Sequence, residues 1–342
     1  MAFDFNEQFE KMMREYDVTE VVLLGHMNPD GDAAGSVMGL AHYIKVNYPQ
    51  YTAWPFLSDK LDKGPKKQVM EDEIFAPFER PKLASERYAV IVCDTATLKR
   101  LIGMKYYQRA VVSMIIDHHA SNEGYGIIND IKVSESCAYN VFEILDKEML
   151  KKAASASHPN GADYLYMGIL HDTSRFSRSD AEIEAAGSKL LAMGADHRYV
   201  MRTMQDKTLD DLIRQGEILR RVKRVMEGKV AYVYMSYQEA KKLHISYEDI
   251  HPISGMLRDC EDIEMGFSMY EEAPNIWRCS FRSDGQWINV NEMMKSFGGG
   301  GHAAGFAERP ISRKYCLSSC WHRLKAYNRW GDDINRHFTY SE

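Results

Sequence analysis

Short apolar runs and helical periodicities alternate along the first half of the chain. VVLLGH (21–26), YAVIVCDT (88–95) and VVSMIIDHH (111–119) are β-branched and continuous, with no polar alternation. Runs of that kind predict strands buried on both faces, hence a parallel sheet. The first run ends in a glycine-containing turn, and a helical stretch follows from Asp32 to about Val46. The pattern predicts an α/β fold with an N-terminal doubly wound, mainly parallel sheet. Such sheets carry their ligands at the carboxyl ends of the strands. Polar residues gather there: His26 and Asp30 after the first run, Asp94 after the second, Asp117 to His119 after the third.

From about 136 to 227 the pattern turns helical, through SCAYNVFEILDKEML, NGADYLYMGIL and DAEIEAAGSKLLAMG. TLDDLIRQGEILRRVKRVMEG (208–228) predicts one long connector helix. A smaller mixed α/β unit follows: KVAYVYMS as strand, YEDIHPISGMLRD as helix, EMGFSMYEE and IWRCSFRS as strands, NVNEMMKSF as helix. The expected organisation is residues 1–207, the connector 208–228, and 229–342. No internal repeat is present, and the glycine run 298–301 is too short for a linker.

Length and composition narrow the function. With 342 residues the chain suffices for two domains at roughly 100–200 residues each. No stretch reaches the roughly 20 apolar residues of a membrane helix. The polar, acidic N-terminus lacks the basic start and apolar run of a secretory signal. Six cysteines are scattered without a CxxC pair, so they read as reduced thiols of a cytoplasmic protein. Cys316 and Cys320 have no second cysteine pair, and His322 alone beside them does not complete a zinc site. The net charge of −6 is the opposite of the basic surface that long nucleic acid demands. Phosphate must therefore be held in a local pocket, which points to a small anionic substrate.

Four clusters carry candidate chemistry. His26, Asp30 and Asp32 lie within seven residues, and Pro29 and Gly31 force a turn that can point all three inward. Asp94, the Asp117-His118-His119 tripeptide and Asp172 of GILHDTSRF supply the rest. Singly, each aspartate has an ordinary explanation as a helix cap or turn former, and His171 reads as a surface or satisfied histidine. Together, at strand ends, they form a set of carboxylate oxygens and imidazole nitrogens suited to a hard divalent ion such as manganese.

The set His26-x-Asn28-Pro29-Asp30-x-Asp32, Asp94, Asp117-His118-His119 and Asp172 resembles the four motifs of the DHH phosphoesterase superfamily. The second unit resembles that family's associated C-terminal domain, marked by a glycine run followed by histidine, here FGGGGHAAGF (297–306). The likeness spans residues 15 to about 310. Within the superfamily, size and layout look most like the bifunctional oligoribonuclease/pAp phosphatases, or nano-RNases. The resemblance implies two divalent ions, manganese by expectation. His26 and Asp30 would hold the first, Asp32 and His118 the second. Asp94 would bridge them and Asp172 would complete the site. Asp117 would orient a histidine, and His119 would contact the reacting phosphate. In the second unit, Gly298 to Gly301 (Gly299, Gly300 and Gly301 foremost), His302 and Arg282 would capture substrate, with Arg175 as a further phosphate contact. One departure is visible: His302 runs straight into Ala303-Ala304-Gly305, where relatives often have extra residues. That shortening bears on how a base or terminal phosphate is held.

The implied activity is hydrolysis of short oligonucleotides of two to about five units to mononucleotides, with removal of the 3′-phosphate of pAp as a second expected reaction. The rival within the superfamily is a cyclic-di-AMP or pApA phosphodiesterase, expected in its stand-alone form because no sensory or membrane segment precedes the catalytic motifs in this sequence. A pyrophosphatase lacks the glycine-run-plus-histidine ending. A non-catalytic nucleotide-binding protein would have eroded its ligands first, and a long-strand nuclease would need a single-strand-binding module. The oligomeric state, monomer or homodimer, is left open.

Overall fold

A computed structural model of the chain describes residues 3–154, 158–205, 207–283 and 290. Helix α1 (Phe5–Glu15) precedes β1 (Glu20–Leu24). α2 (Gly31–Asn47) then leads to β2 (Thr52–Phe56) and α3 (Lys63–Met70). β3 (Ala89–Cys93), α4 (Met104–Arg109), β4 (Val112–Asp117) and β5 (Ile128–Ile131) complete a five-stranded sheet of order β2-β1-β3-β4-β5, parallel throughout. The helices α5 (Cys137–Ile144), α6 (Lys147–Ala153), α7 (Gly161–Asp172), α8 (Ala181–Met193) and α9 (His197–Thr203) follow.

The three apolar runs are the three central strands, and every residue of β1, β3 and β4 is buried. Alternate side chains face opposite ways. Val21, Leu23, Ala89, Ile91, Met114 and Ile116 join the core built with α1, α2, α5 and α7. Val22, Leu24, Val90, Val92 and Ile115 pack toward Met104, Tyr106 and Tyr107 of α4. Continuous apolar sequence is what two covered faces require.

The two edge strands were hidden from pattern reading. β2 (TAWPF) contains Pro55, which an edge strand tolerates because only one side of its backbone is paired. β5 (INDI) is polar and only partly buried. α1 is a further addition: Phe5, Phe9, Met12 and Met13 bury one face, and the Asp4 carboxylate accepts the N–H of Glu7 at the helix start.

α2 and α7 touch almost backbone to backbone. A Cβ added to Gly35 would lie 2.5 Å from the Tyr164 carbonyl oxygen and 2.9 Å from Gly168 Cα. One added to Gly39 would meet Leu165 at 2.7 Å, and one on Gly31 would meet the His171 ring at 2.7 Å. Glycines four apart thus line the face of α2 that meets α7. The order of contacts runs the helices antiparallel, which sets the start of α2 against the end of α7.

The chain divides into two compact units, Met1–Asp206 and Lys207–Glu342. In the second, α10 (Leu209–Leu219), β6 (Lys223–Val225), β7 (Val230–Met235), α11 (Tyr237–Leu243), α12 (Tyr247–Ile250), α13 (Ile253–Arg258), β8 (Met265–Ala273) and β9 (Ile276–Ser283) build a mixed sheet of order β6-β7-β8-β9. β7 and β8 are parallel, and the outer pairs are antiparallel.

Here two expectations are corrected. The helix anticipated over 208–228 starts as read, with a capping box between Thr208 and Asp211, but stops at Leu219. Residues 223–225 instead form β6, joined to β7 by Met226, Glu227 and Gly228, all at positive φ. Pairing with β7 satisfies backbone groups that a continuing helix would have kept internal. The single helix expected over YEDIHPISGMLRD is two, α12 and α13, because Pro252 cannot continue a helical ladder. The helix expected over NVNEMMKSF falls almost wholly outside the described residues.

Gly35→Ala should destabilise the protein by about 1–3 kcal/mol, the usual range for overpacking. Gly216→Ala, in exposed α10 with nothing within 4 Å of an added Cβ, should stabilise the second unit by about 0.5–1 kcal/mol. Denaturant melts of the two variants test this. Equal and negligible effects would mean that α2 and α7 are not held in close contact.

Candidate metal centre

Each strand end delivers its polar group by a local device. Beyond β1, Asp30 is the N-cap of α2: its Oδ1 accepts the N–H groups of Asp32 (3.0 Å) and Ala33 (3.1 Å). That leaves Oδ2 to face His26 Nε2 at 3.8 Å. Asp32, fully buried in the first turn of α2, reaches across to the start of α5. Its Oδ1 accepts the Ser136 hydroxyl (2.8 Å) and the Ala138 N–H (2.9 Å), and its Oδ2 accepts the Cys137 N–H (2.6 Å). Each residue thus serves as a helix cap and still turns a carboxylate oxygen toward a histidine, Asp30 toward His26 and Asp32 toward His118.

Asp94 follows β3 with φ of 50°, a left-handed conformation uncommon for non-glycine residues and tolerated best by aspartate and asparagine. Its buried carboxylate lies centrally: Oδ2 is 3.5 Å from His26 Nε2, and Oδ1 is 3.2 Å from His118 Nε2 and 3.7 Å from His119 Nδ1. Asp117 ends β4 at zero exposure. Its Oδ1 accepts from His119 Nδ1 (2.8 Å) and its Oδ2 from the Asn122 amide (2.7 Å). His118 Nδ1 donates to the Ser134 carbonyl (3.0 Å), which assigns Nε2 as the nitrogen that faces the carboxylates. Asp172, the last residue of α7, places Oδ2 3.8 Å from His118 Nε2.

The structure thus gathers His26, Asp30, Asp32, Asp94, Asp117, His118, His119 and Asp172 at one end of the sheet. His26, Asp30 and Asp94 offer ligand atoms all within 4.8 Å of one another, as do Asp32, His118 and Asp172. The two triads share no residue, and Asp94 reaches the histidine of each. Oxygen and imidazole donors in this convergence fit hard divalent cations. Like-charged carboxylates this close also need positive charge among them.

The titration behaviour of the ion-free site reflects that need. Burial opposes the charge on His26, yet hydrogen bonds and attraction from Asp30 and Asp94 outweigh it and raise its pKa to about 10. Burial likewise opposes the charge on His118, and Asp94, Asp32 and Asp172 raise its pKa to about 11. Burial pushes the Asp94 carboxyl up, but His118 and His26 hold it well below the usual range. Burial and the neighbouring carboxylates Asp172 and Asp94 push Asp32 well up.

His171, read from sequence as a surface or satisfied histidine, takes part, as do Asn122 and Ser136, which the sequence reading did not single out. His171 lies within hydrogen-bond range of Asp172, and Asn122 fixes Asp117. Ser136 anchors Asp32. Asn122 was findable as a polar residue three positions after His119 in a turn. Ser136 and His171 give no signal without the fold. Arg175 is exposed in the loop after α7. Arg282 is half-buried on β9, opposite Gly266. Gly298, Gly299, Gly300, Gly301 and His302 lie outside the described residues.

Residues 20–169 match the DHH family, N-terminal domain. That domain and the relatives below are those of DHH phosphoesterases, a class of hydrolases to which the chain is similar. Over 290 residues it is 26% identical to the bifunctional oligoribonuclease and PAP phosphatase NrnA of Bacillus subtilis, covering 82% of this chain and 86% of the relative. The protein of the same name from Mycoplasma pneumoniae is 26% identical over 291 residues, 83% of this chain and 85% of the relative. A solved exopolyphosphatase-related protein from Bacteroides fragilis shares the fold, with a TM-score of 0.77 at 19% identity over 94% of this chain and 96% of that one. No helix among the described residues is long and apolar enough to cross a membrane.

Ion binding should release protons. Ligation requires neutral imidazole, whereas His26 and His118 are raised to about 10 and about 11 and so are protonated at neutral pH in the ion-free site. Affinity for manganese should therefore rise with pH between 6 and 9, with on the order of two protons released at pH 7. Calorimetry in buffers of different ionisation enthalpy measures this. Binding that is independent of pH and releases no proton would exclude His26 and His118 as ligands.

Proposed function

We propose that the protein is a two-metal phosphoesterase that hydrolyses short oligonucleotides to mononucleotides and pAp to AMP. The observation that carries the reading is the position of Asp94, which belongs to one carboxylate–imidazole triad through Oδ2 and lies 3.2 Å from the histidine of the other through Oδ1. His26, Asp30 and Asp94 would hold one divalent ion, and Asp32, Asp94, His118 and Asp172 the other. Manganese suits the oxygen and imidazole donors. Bound there, a pair of ions supplies an activated water and charge stabilisation on both sides of the reacting phosphate.

The chain's own residues do the rest. Asp94 fixes the spacing of the two halves of the site through its backbone N–H bond to Ile116 and its central carboxylate. Asp117 accepts from His119 Nδ1 on one oxygen and from Asn122 on the other, so the His119 ring is fixed in orientation. His119 then turns its opposite edge, Nε2, toward the reacting phosphate and donates a hydrogen bond as charge develops there. Capture of the remaining phosphate falls to Arg282, the glycine run 299–301 and His302, with Arg175 as a further contact.

Support for the substrate class comes from the relatives' names and from the net charge of −6, which disfavours a long polyanion. A compact pocket gains nothing from nucleotides beyond its edge. Efficiency should thus fall beyond about five nucleotides, and kcat/KM should depend only shallowly on salt because few phosphates are contacted. The test is a manganese-supplemented panel of dinucleotide, pAp, cyclic-di-AMP, pyrophosphate and a 20-mer. A 20-mer cut as efficiently as a dinucleotide, with a steep salt slope, would make the protein a long-strand exonuclease. Strong preference for cyclic-di-AMP would move it to the cyclic-dinucleotide phosphodiesterases.

In the same assay Asp94→Asn should lower kcat/KM by about two orders of magnitude or more, since both ions lose a ligand. Chelated wild-type protein should be inactive and recover with manganese. An Asp94→Asn protein fully active in EDTA would end the two-metal reading.

A further inference from the structure

His171 stands beside the metal centre without belonging to either triad. Its Nδ1 lies 3.2 Å from Asp172 Oδ1, and its Nε2 lies 3.6 Å from Asp62 Oδ2. The other oxygen of Asp172, Oδ2, lies 3.8 Å from His118 Nε2. Asp172 is therefore divided: one oxygen is tied to His171, and the other is aimed at the ion site. A free carboxylate at the end of a side chain rotates, and its two oxygens are interchangeable. A hydrogen bond to one of them removes that freedom.

Three independent features hold His171 where it can do this. Gly31 leaves the space the ring fills, since a Cβ there would come within 2.7 Å of ring atoms. Asp172 ends α7, where the negative pole of the helix disfavours a carboxylate and favours an adjacent imidazole donor. Asp62 occupies the N-cap position of α3 yet makes no capping bond. Pro65 at the third helical position has no N–H to offer it. Its carboxylate faces His171 instead.

We infer that His171 is a positioning residue that orients Asp172 for the second metal ion, backed by Asp62. This rests on the two-metal reading above. Asp30, His171 and Asp172 also offer ligand atoms within 4.8 Å of one another. His171 Nδ1, however, lies within hydrogen-bond range of a candidate ligand, Asp172, and its Nε2 faces Asp62, which belongs to neither triad, so the ring is placed as a donor to a ligand. Partners of this kind typically change metal affinity by about 10–100-fold when removed.

The test uses the full-length protein stripped of metal and titrated with manganese, free ion being counted by electron paramagnetic resonance. Wild type should bind two ions. His171→Ala should weaken one of them by about 10–100-fold and leave the thermal midpoint of the ion-free protein in place. The manganese concentration for half-maximal activity should rise in step, while KM for a dinucleotide stays within about 3-fold. His171→Asn, whose amide can reproduce the Nδ1 donor, should restore affinity. His171→Gln, whose amide sits nearer the Nε2 position, should not. This pair keeps the inference open to refutation even where the alanine variant folds poorly. Unchanged manganese affinity in His171→Ala would overturn it. So would the loss of a nitrogen coupling to manganese at saturating ion, which would make His171 a ligand, or a rise confined to KM, which would make it a substrate contact. A wild-type protein that binds no manganese would instead defeat the two-metal reading itself, a separate outcome.

Discussion

The approach of α2 to α7 is the contact on which the site depends. Gly31, Gly35 and Gly39 on α2 and Gly168 on α7 remove the side chains that would otherwise hold the helices apart. The antiparallel arrangement lays the start of α2, with Asp30 and Asp32, against the end of α7, with His171 and Asp172. A Cβ on Gly168 would itself come within 3.0 Å of Asp32 Oδ1. Larger residues along this seam would separate Asp32 from Asp172 and dissolve the triad they form with His118.

The sheet supplies the other half of the site. β1, β3 and β4 lie side by side in parallel, so their carboxyl ends arrive at one edge. His26, Asp94 and the Asp117-His118-His119 turn are consequences of that alignment. Buried strands exert no demand for polar residues, and the charge therefore collects only where the strands stop. The left-handed backbone at Asp94 turns its carboxylate into the centre of the cluster.

Fold and site share the same groups. Asp32 satisfies backbone N–H groups at the start of α5 while facing His118, and Asp30 caps α2 while facing His26. Helix starts attract carboxylates for reasons of their own, so the caps hold the ligands rigid before any ion arrives. The remaining repulsion between carboxylates is met in the ion-free protein by protons on His26 and His118.

Much of this was legible in sequence. The buried strands showed as continuous apolar runs, and His26, Asp30, Asp32, Asp94, His118 and Asp172 showed as chemistry at element ends. The glycines at 31, 35 and 39 were visible too, but spacing alone does not say which helix lies against them. Pro55 masked β2, polar Asn129 and Asp130 masked β5, and the charged run after Leu219 read on as helix although its backbone pairs with β7. Local periodicity determines which segments are strands or helices and which residues can carry charge, because it reflects burial of each segment alone. Only the tertiary structure decided that Asp172 divides its oxygens between His171 and His118, that Asn122 holds Asp117, and that Ser136 holds Asp32. Those pairings join residues from different elements, and the partner of a side chain is set by where the chain returns, which no local pattern encodes.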